Sequence, residues 1–373
     1  MEHKNYDPGM DALYLAACAL HGAAPECDGD RDLEALLGFC KFHSVTALAA
    51  MALEPLWEAG DPAAKPWRQA RDMAIRKNLL LNTERQRLLA HMESIGCWYL
   101  PLKGSLLQHA YPKFGMRQMS DNDILLDPAF REVLRDHMTA EGYTVRDYGR
   151  ENHDEYEKPP VYNMELHVSL FGPEYPVLAG YYEDVRGRMV KDGDNGFGYH
   201  LTDEDFYIYI TAHAWKHFTT GGTGIRHLVD TWVWVSGHWL DWAYVTGELE
   251  KLGAAEFERQ CRQLSRKLFI QPEKPALTEE ERRFLDKFLR SGAYGTTAQK
   301  VENRLEQAGN RGKAGYLLDR LFMPPALLAV NYPVLNKRPW LYPFCLVARV
   351  IRVLLKAPGK LLRELKTLGK LDK

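Results

Sequence analysis

Residues 98–127 read WYLPLKGSLLQHAYPKFGMRQMSDNDILLD, and the fold turns on how this stretch is laid down. A short apolar run, Cys97 to Leu102, delivers Lys103, Gly104 and Ser105 to the place where a strand hands over to a helix. Gly104 has no Cβ, so the backbone there can approach a ligand closely, and the amides that follow are the unpaired donors of a helix start. Such a turn suits an anion, phosphate above all. Further on, Asp121 and Asp123 flank Asn122 and lead into Ile124, Leu125 and Leu126. In a strand, residues i and i+2 share a face, so both carboxylates would project together, roughly 7 Å apart along the backbone. Asn122 would point the other way. Two acids beside a phosphate cradle are enough for Mg²⁺, which takes one or two carboxylates and completes its shell with phosphate and water.

A third carboxylate is wanted where one ion activates an attacking oxygen and a second, ~3.5–4 Å away, steadies the leaving phosphate. Glu165 is the candidate. It lies in VYNMELHVSLF, residues 161–171, where Met164, Leu166, Val168 and Leu170 alternate with Glu165, His167 and Ser169 at strand period.

Leu102-Lys103-Gly104-Ser105, Tyr111-Pro112, Arg117, the Asp121-x-Asp123 pair and Glu165-x-His167 together resemble the uncharacterised bacterial nucleotidyltransferases of the DNA polymerase β-like superfamily. The resemblance is dense over about residues 100–170 and thinner over 205–230. It implies a small mixed-sheet palm, with Gly104 and Ser105 on a nucleoside triphosphate and Asp121 and Asp123 on Mg²⁺ or Mn²⁺. Glu165 would complete the metal site or act as base. The co-substrate implied is a nucleoside triphosphate, with ATP expected, and the second substrate is a hydroxyl-bearing acceptor. Lys103 would neutralise phosphate charge in the transition state or salt-bridge an aspartate. Arg117 has two readings as well: a fork on the triphosphate, or an ion pair with Asp121 or the loop.

Composition sets the frame. At 373 residues, with 46% hydrophobic and 26% charged residues, the chain has room for two or three domains and reads as a soluble globular protein. A formal charge of −2 argues against a chain built mainly to bind nucleic acid. Six scattered cysteines without a Cys-x-x-Cys pair read as reduced core thiols, which points to the cytoplasm. No basic-then-apolar leader opens the sequence, and no uncharged apolar run approaches the roughly 20 residues of a spanning helix.

The expected fold class is α+β, a polymerase-β-like mixed-sheet palm flanked by α-helical N-terminal and C-terminal regions. The divisions fall at residues 1–96, 97–200 and 201–373. The first region is helical by periodicity, ending in a long helix from about Pro66 to Gly96. That helix carries Arg76, Lys77, Arg85 and Arg87 on what reads as a solvated face. His43 is read near a helix start. The palm is read as strand, helix, strand, helix, strand and strand, with Glu151 to Pro160 a polar loop ending in two prolines, and DGDNGFG, residues 192–198, a hairpin turn.

In the C-terminal region, Thr202 caps a helix carrying His213 and His217, four residues apart and so on one face. Ala214 stands where a metalloprotease helix has glutamate, so structural or substrate-facing roles are preferred to zinc. Arg226 is read as a ligand contact, Asp230 as its partner, and the glycines of residues 219–224 as a helix connection. His167, His213, His217 and Arg226 are thus the possible substrate contacts. Trp232, Trp234, Trp239 and Trp242 read mainly as core. The basic amphipathic tail after Leu341 is expected to dock on its own domain, ahead of contact with an anionic membrane surface or nucleic acid. Two other functions use the same palm: γ-phosphoryl transfer, and nucleotide sensing without catalysis. A histidine-based metal hydrolase rests on His213 and His217 alone.

Overall fold

The computed structural model describes residues 6–27, 29, 31–193 and 196–308, and beyond them 315, 322–325, 328–329, 332, 334–356 and 368. It is an α+β protein, as expected. Four helices come first: α1 (Pro8–His21), α2 (Leu33–His43), α3 (Thr46–Leu53) and α4 (Lys65–Ile95). Each of the first two begins where an aspartate accepts backbone amides. Asp7 caps α1 just ahead of Pro8, and Asp32 caps α2. Gly96, at φ 74°, ends α4 in the left-handed conformation that a residue without Cβ adopts at little cost.

The palm follows as β1 (Tyr99–Pro101), α5 (Gly104–Leu107), β2 (Asn122–Leu126), α6 (Arg131–Ala140), β3 (Thr144–Asp147), β4 (His153–Lys158) and β5 (Tyr162–His167). The strands form one mixed sheet in the order β1-β2-β5-β4-β3, in which β2 and β5 are parallel and the other neighbours antiparallel. Alternation gives this sheet two unlike faces. Ile124, Leu126, Tyr156, Met164 and Leu166 turn toward Leu88 and Met92 of α4 and Leu134 and Met138 of α6, forming a closed apolar core. Asp123, Glu165, His167 and His153 are left on the other face.

Two features depart from the sequence reading. Residues 153–158 are a strand, not a loop. Their charges misled because burial of Asp154 is compensated by Arg131, whose Nε and Nη2 donate to it at 2.6 Å each, while Tyr156 is fully buried. Arg85 is not on a solvated face. It is buried and donates to Asn82 Oδ1 and Asn122 Oδ1, so Asn122 does point away from the acids, into α4.

After α7 (Pro176–Tyr181), β6 (Met189–Lys191) and β7 (Tyr199–Leu201) form the expected hairpin. Helices α8 (Asp203–Thr220), α9 (Arg226–Gly237), α10 (Trp242–Lys251), α11 (Ala255–Phe269), α12 (Glu279–Ser291) and α13 (Thr297–Ala308) complete the body. The two helical flanks share a core: Leu13, Leu15, Leu36 and Leu48 pack with Leu228, Phe257, Leu264, Leu285 and Phe288. His43 is the last residue of α2, its Nε2 3.1 Å from Leu289 O, so it belongs to that core. Trp234 is buried, whereas Trp239 is 85% exposed. Farther along, the described residues include the helices α14 (Val334–Lys337) and α15 (Tyr342–Lys356). Lys360, Arg363, Lys366 and Lys370 of the basic tail lie outside the described residues. No helix among the described residues is long and apolar enough to cross a membrane, and all six cysteines are free thiols.

Candidate active site

The turn between β1 and α5 builds the first wall of the site. Lys103, not Gly104, carries the unusual backbone, at φ 46° and ψ −116°. A side chain there costs on the order of 1–3 kcal/mol, which must be offset by what it holds in place. What it holds is the Lys103 ammonium, 2.6 Å from Asp123 Oδ1. The Leu102 amide donates to Asp123 O and locks the turn to β2. Gly104 lines the cavity and is also needed for close internal packing. A Cβ there would lie 2.6 Å from Arg117 Nη1 and 2.8 Å from Met119 Sδ. The amides of Ser105, Leu106 and Leu107 turn back onto Leu102 O and Lys103 O, and the Ser105 hydroxyl donates to Leu102 O at 2.7 Å. These groups are therefore engaged inside the turn.

The acids come next. Asp123 and Glu165 are register partners on the parallel strands β2 and β5, so their side chains stand side by side on the sheet face away from α4. Asp121 precedes β2 by one residue and lines the same cavity, which has a volume of about 440 Å³. Asp123 is 4% exposed. Burial works to raise its carboxyl, but the Lys103 charge and His167, with Nε2 3.0 Å away, outweigh that and hold it well below the usual carboxylate range. Asp121 goes the other way. Burial and the negative charges of Asp123 and Glu165 push it up to about 7. The cluster thus carries more negative charge than Lys103 balances. The buried Tyr209 hydroxyl, electrostatically linked to Lys103 and Asp123, has no partner among the described residues. Surplus carboxylate charge at a cavity wall is the donor chemistry a divalent cation needs, so Asp121, Asp123 and Glu165 fit Mg²⁺ or Mn²⁺.

Another wall is helical and cationic. Lys216 of α8, Arg226 at the start of α9, and the loop residues Gly222, Thr223 and Gly224 line the same cavity. Burial, then Lys103, lowers the Lys216 ammonium, which lies over the rings of Phe171 and Tyr175. His213 and His217 also line it, their Nε2 atoms 3.3 Å apart. Burial holds His213 well below its ordinary value and His217 at about 3, so both rings are neutral donors or acceptors at neutral pH.

The sequence-predicted residues therefore divide. Lys103, Gly104, Asp121, Asp123, Glu165, His167, His213, His217 and Arg226 converge on one cavity. Arg117 reaches its wall but is taken up by an unexpected partner: its Nε and Nη2 donate to both oxygens of Asp230, at 2.8 and 3.0 Å, and Tyr111 donates to Asp230 as well. Asp230 is therefore bridged to Arg117, and Arg226, which donates to Gln118 O at 3.3 Å, acts on it only through the charge that helps hold its carboxyl low. Sequence reasoning missed His153 and Lys216. His153 was concealed in the supposed loop, although His153, Glu155 and Glu157 alternate with Asp154 and Tyr156 at strand period. Lys216 sits beside His217, one turn on from His213 and within reach of the same helical face.

A mixed sheet with acids in register on two parallel strands, sharing a cavity with lysine and arginine from the helices, is consistent with a nucleotidyltransferase fold. The chain belongs to the family described as uncharacterised nucleotidyltransferases, whose sequence pattern it matches over residues 29–270. That span takes in the palm, α8, α9 and most of the N-terminal helices. Membership assigns the protein to nucleotidyl transfer in general, and so to enzymes. No curated protein and no solved structure matches the chain.

Proposed function

We propose that the protein moves a nucleoside monophosphate from a nucleoside triphosphate, ATP first among the candidates, to an acceptor hydroxyl, releasing pyrophosphate. The observation that carries this reading is the pairing of Asp123 with Glu165 across β2 and β5, with Asp121, Lys216 and Arg226 lining the same cavity. Asp121, Asp123 and Glu165 would hold the divalent cation, which when bound supplies charge neutralisation for the triphosphate and activation of the acceptor oxygen. Lys103 keeps Asp123 ionised and oriented. Lys216 and Arg226 receive the phosphate charge in that cavity, where preorganised cations stabilise the charge that develops on transfer. His213 and His217, neutral and facing the same space, offer hydrogen bonds to nucleotide or acceptor. The new bond joins the acceptor oxygen to the α-phosphorus, the bond from that phosphorus to the bridging oxygen breaks, and the acceptor proton passes to Glu165.

The test is to incubate the protein with Mn²⁺ or Mg²⁺ and nucleotide labelled at the α- or γ-phosphate, in the presence of fractionated acceptor pools. Pyrophosphate release with the α-label retained on an acceptor is expected, and Asp121→Asn should lower both by on the order of 10³-fold. Transfer of the γ-label with release of the nucleoside diphosphate would replace this reading with phosphoryl transfer.

A further inference from the structure

The histidines beside Glu165 have no part in the transfer just described, yet they stand where a ligand to a metal would. Strands β4 and β5 are antiparallel, with His153 opposite His167 and Glu155 opposite Glu165. His153, Glu165 and His167 therefore fall on one face of adjacent strands. One nitrogen from each ring and one Glu165 oxygen lie within 4.8 Å of one another. His167 Nε2 is 3.6 Å and His153 Nε2 3.9 Å from Glu165 Oε2, and His167 Nε2 is also 3.0 Å from Asp123 Oδ1. Asn152 braces the His167 ring from behind. Its amide nitrogen donates to Ser169 O at 2.9 Å and lies 3.4 Å from His167 Nδ1, so Nε2 is the nitrogen turned toward the acids.

We propose that His153, Glu165 and His167 form a mixed nitrogen and oxygen site for a first-row divalent ion, so that the cation centre takes Mn²⁺ in preference to Mg²⁺. The proposal rests on the cation-dependent reading above, because Glu165 is shared with Asp121 and Asp123, and it extends that reading by naming the metal. The chemistry is one of ligand type. Mg²⁺ selects oxygen donors and near-ideal octahedral geometry, whereas imidazole nitrogen suits the first-row ions, with affinity rising from Mn²⁺ upward. Two imidazoles and a carboxylate are a recurring set for such ions. Metal–ligand bonds of about 2.0–2.2 Å set donor atoms roughly 3–3.5 Å apart, so each imidazole needs to approach Glu165 by only a few tenths of an ångström around an ion, while the two ring nitrogens, within 4.8 Å of each other, close by up to roughly 1 Å more through side-chain rotation.

The experiment uses the full-length protein stripped of metal by chelation, titrated calorimetrically with Mn²⁺ and separately with Mg²⁺. Pulsed electron paramagnetic resonance on bound Mn²⁺ then reads nitrogen coupling. The expected result is Mn²⁺ binding about tenfold or more tighter than Mg²⁺, with imidazole nitrogen coupling in the Mn²⁺ signal. His153→Gln should lower Mn²⁺ affinity by roughly tenfold and weaken the nitrogen signal while leaving Mg²⁺ affinity within about twofold. Bound Mn²⁺ without nitrogen coupling, or His153→Gln with unchanged Mn²⁺ affinity, overturns the proposal. The two readings fail differently. Pyrophosphate release without nitrogen coupling sinks the metal assignment alone, whereas nitrogen coupling in a protein that releases no pyrophosphate upholds the metal site and sinks the transfer reaction.

Discussion

Two buried pairs of opposite charge stand at the same cavity, and they differ in what is left over. In one, Asp230 receives a two-pronged donation from Arg117 and a hydroxyl from Tyr111. Both carboxylate oxygens are engaged, and although burial works to raise the group, the guanidinium beside it holds the carboxyl low. In the other, Asp123 is matched by Lys103 and His167, but Asp121 and Glu165 crowd in beside it with no lysine or arginine bridged to either among the described residues. The saturated pair is a clamp between the β1–β2 connection and α9. The unsaturated one is poised to bind positive charge. Charge balance, not burial, separates the structural pair from the functional one.

The sharpest way to break that contrast is to remove one carboxylate from each side. Asp121→Asn should reduce nucleotidyl transfer by on the order of 10³-fold, the scale seen when one preorganised electrostatic group is lost from a transition state. Its stability should move little or rise. A carboxyl raised to about 7 in the fold weakens the protein as pH climbs from its unfolded value near 4 through 7, and asparagine abolishes that loss. A melting series at pH 8 in chelator checks this, and a large drop in melting temperature would make Asp121 structural.

On the saturated side the pattern should invert. Arg117→Met leaves Asp230 buried without its counter-charge and should cost about 3–5 kcal/mol in denaturant unfolding. Arg117→Met with Asp230→Asn should recover part of that, because the stranded charge is gone. If the double variant is no better than the single one, the clamp is not an isolated pair.

Gly104→Ala tests the same clamp from its neighbour. The added methyl would meet the Arg117 guanidinium, held by Asp230, and the Met119 sulfur, so a loss of about 1–3 kcal/mol is expected. An unchanged unfolding midpoint would mean that Arg117 is free to step aside.

The smallest effect is one of pH. Burial lowers His43 and His227 to about 4, so each stays unprotonated in the fold where the unfolded chain takes up a proton below about 6.5. Their contribution to stability is complete above pH 6.5 and is lost as pH falls toward 4. His43→Gln should flatten the stability profile across that interval, and a parallel profile would remove His43 from the account.

Much of this site could be read from the chain because strand period is a two-residue rule. Once residues 122–126 and 161–171 are strands, Asp123 and Glu165 must each face opposite their apolar neighbours, and only the register was missing. The helix carrying His213 and His217 was legible from its cap at Thr202 and its spacing. What escaped depends on distant partners. Residues 153–158 look like a solvated loop until Arg131 arrives to neutralise Asp154 and β3 and β5 take up their backbone groups. Arg117 cannot be assigned to Asp230 from sequence, since 113 residues separate them and either an aspartate or a phosphate would satisfy the same fork. Lys103 conceals its backbone geometry for a similar reason: a lysine beside a glycine gives the glycine the credit for the unusual φ.

The most direct test of the central claim needs no acceptor. Nucleoside triphosphate binding to the full-length protein, measured by calorimetry with and without Mn²⁺ in the parent and in Asp121→Asn/Glu165→Gln, asks whether these carboxylates hold a cation for the nucleotide. Binding that requires the cation in the parent, and that loses this requirement and most of its affinity in the double variant, is the predicted result. Equal nucleotide affinity with and without the cation, unchanged in the variant, would contradict it.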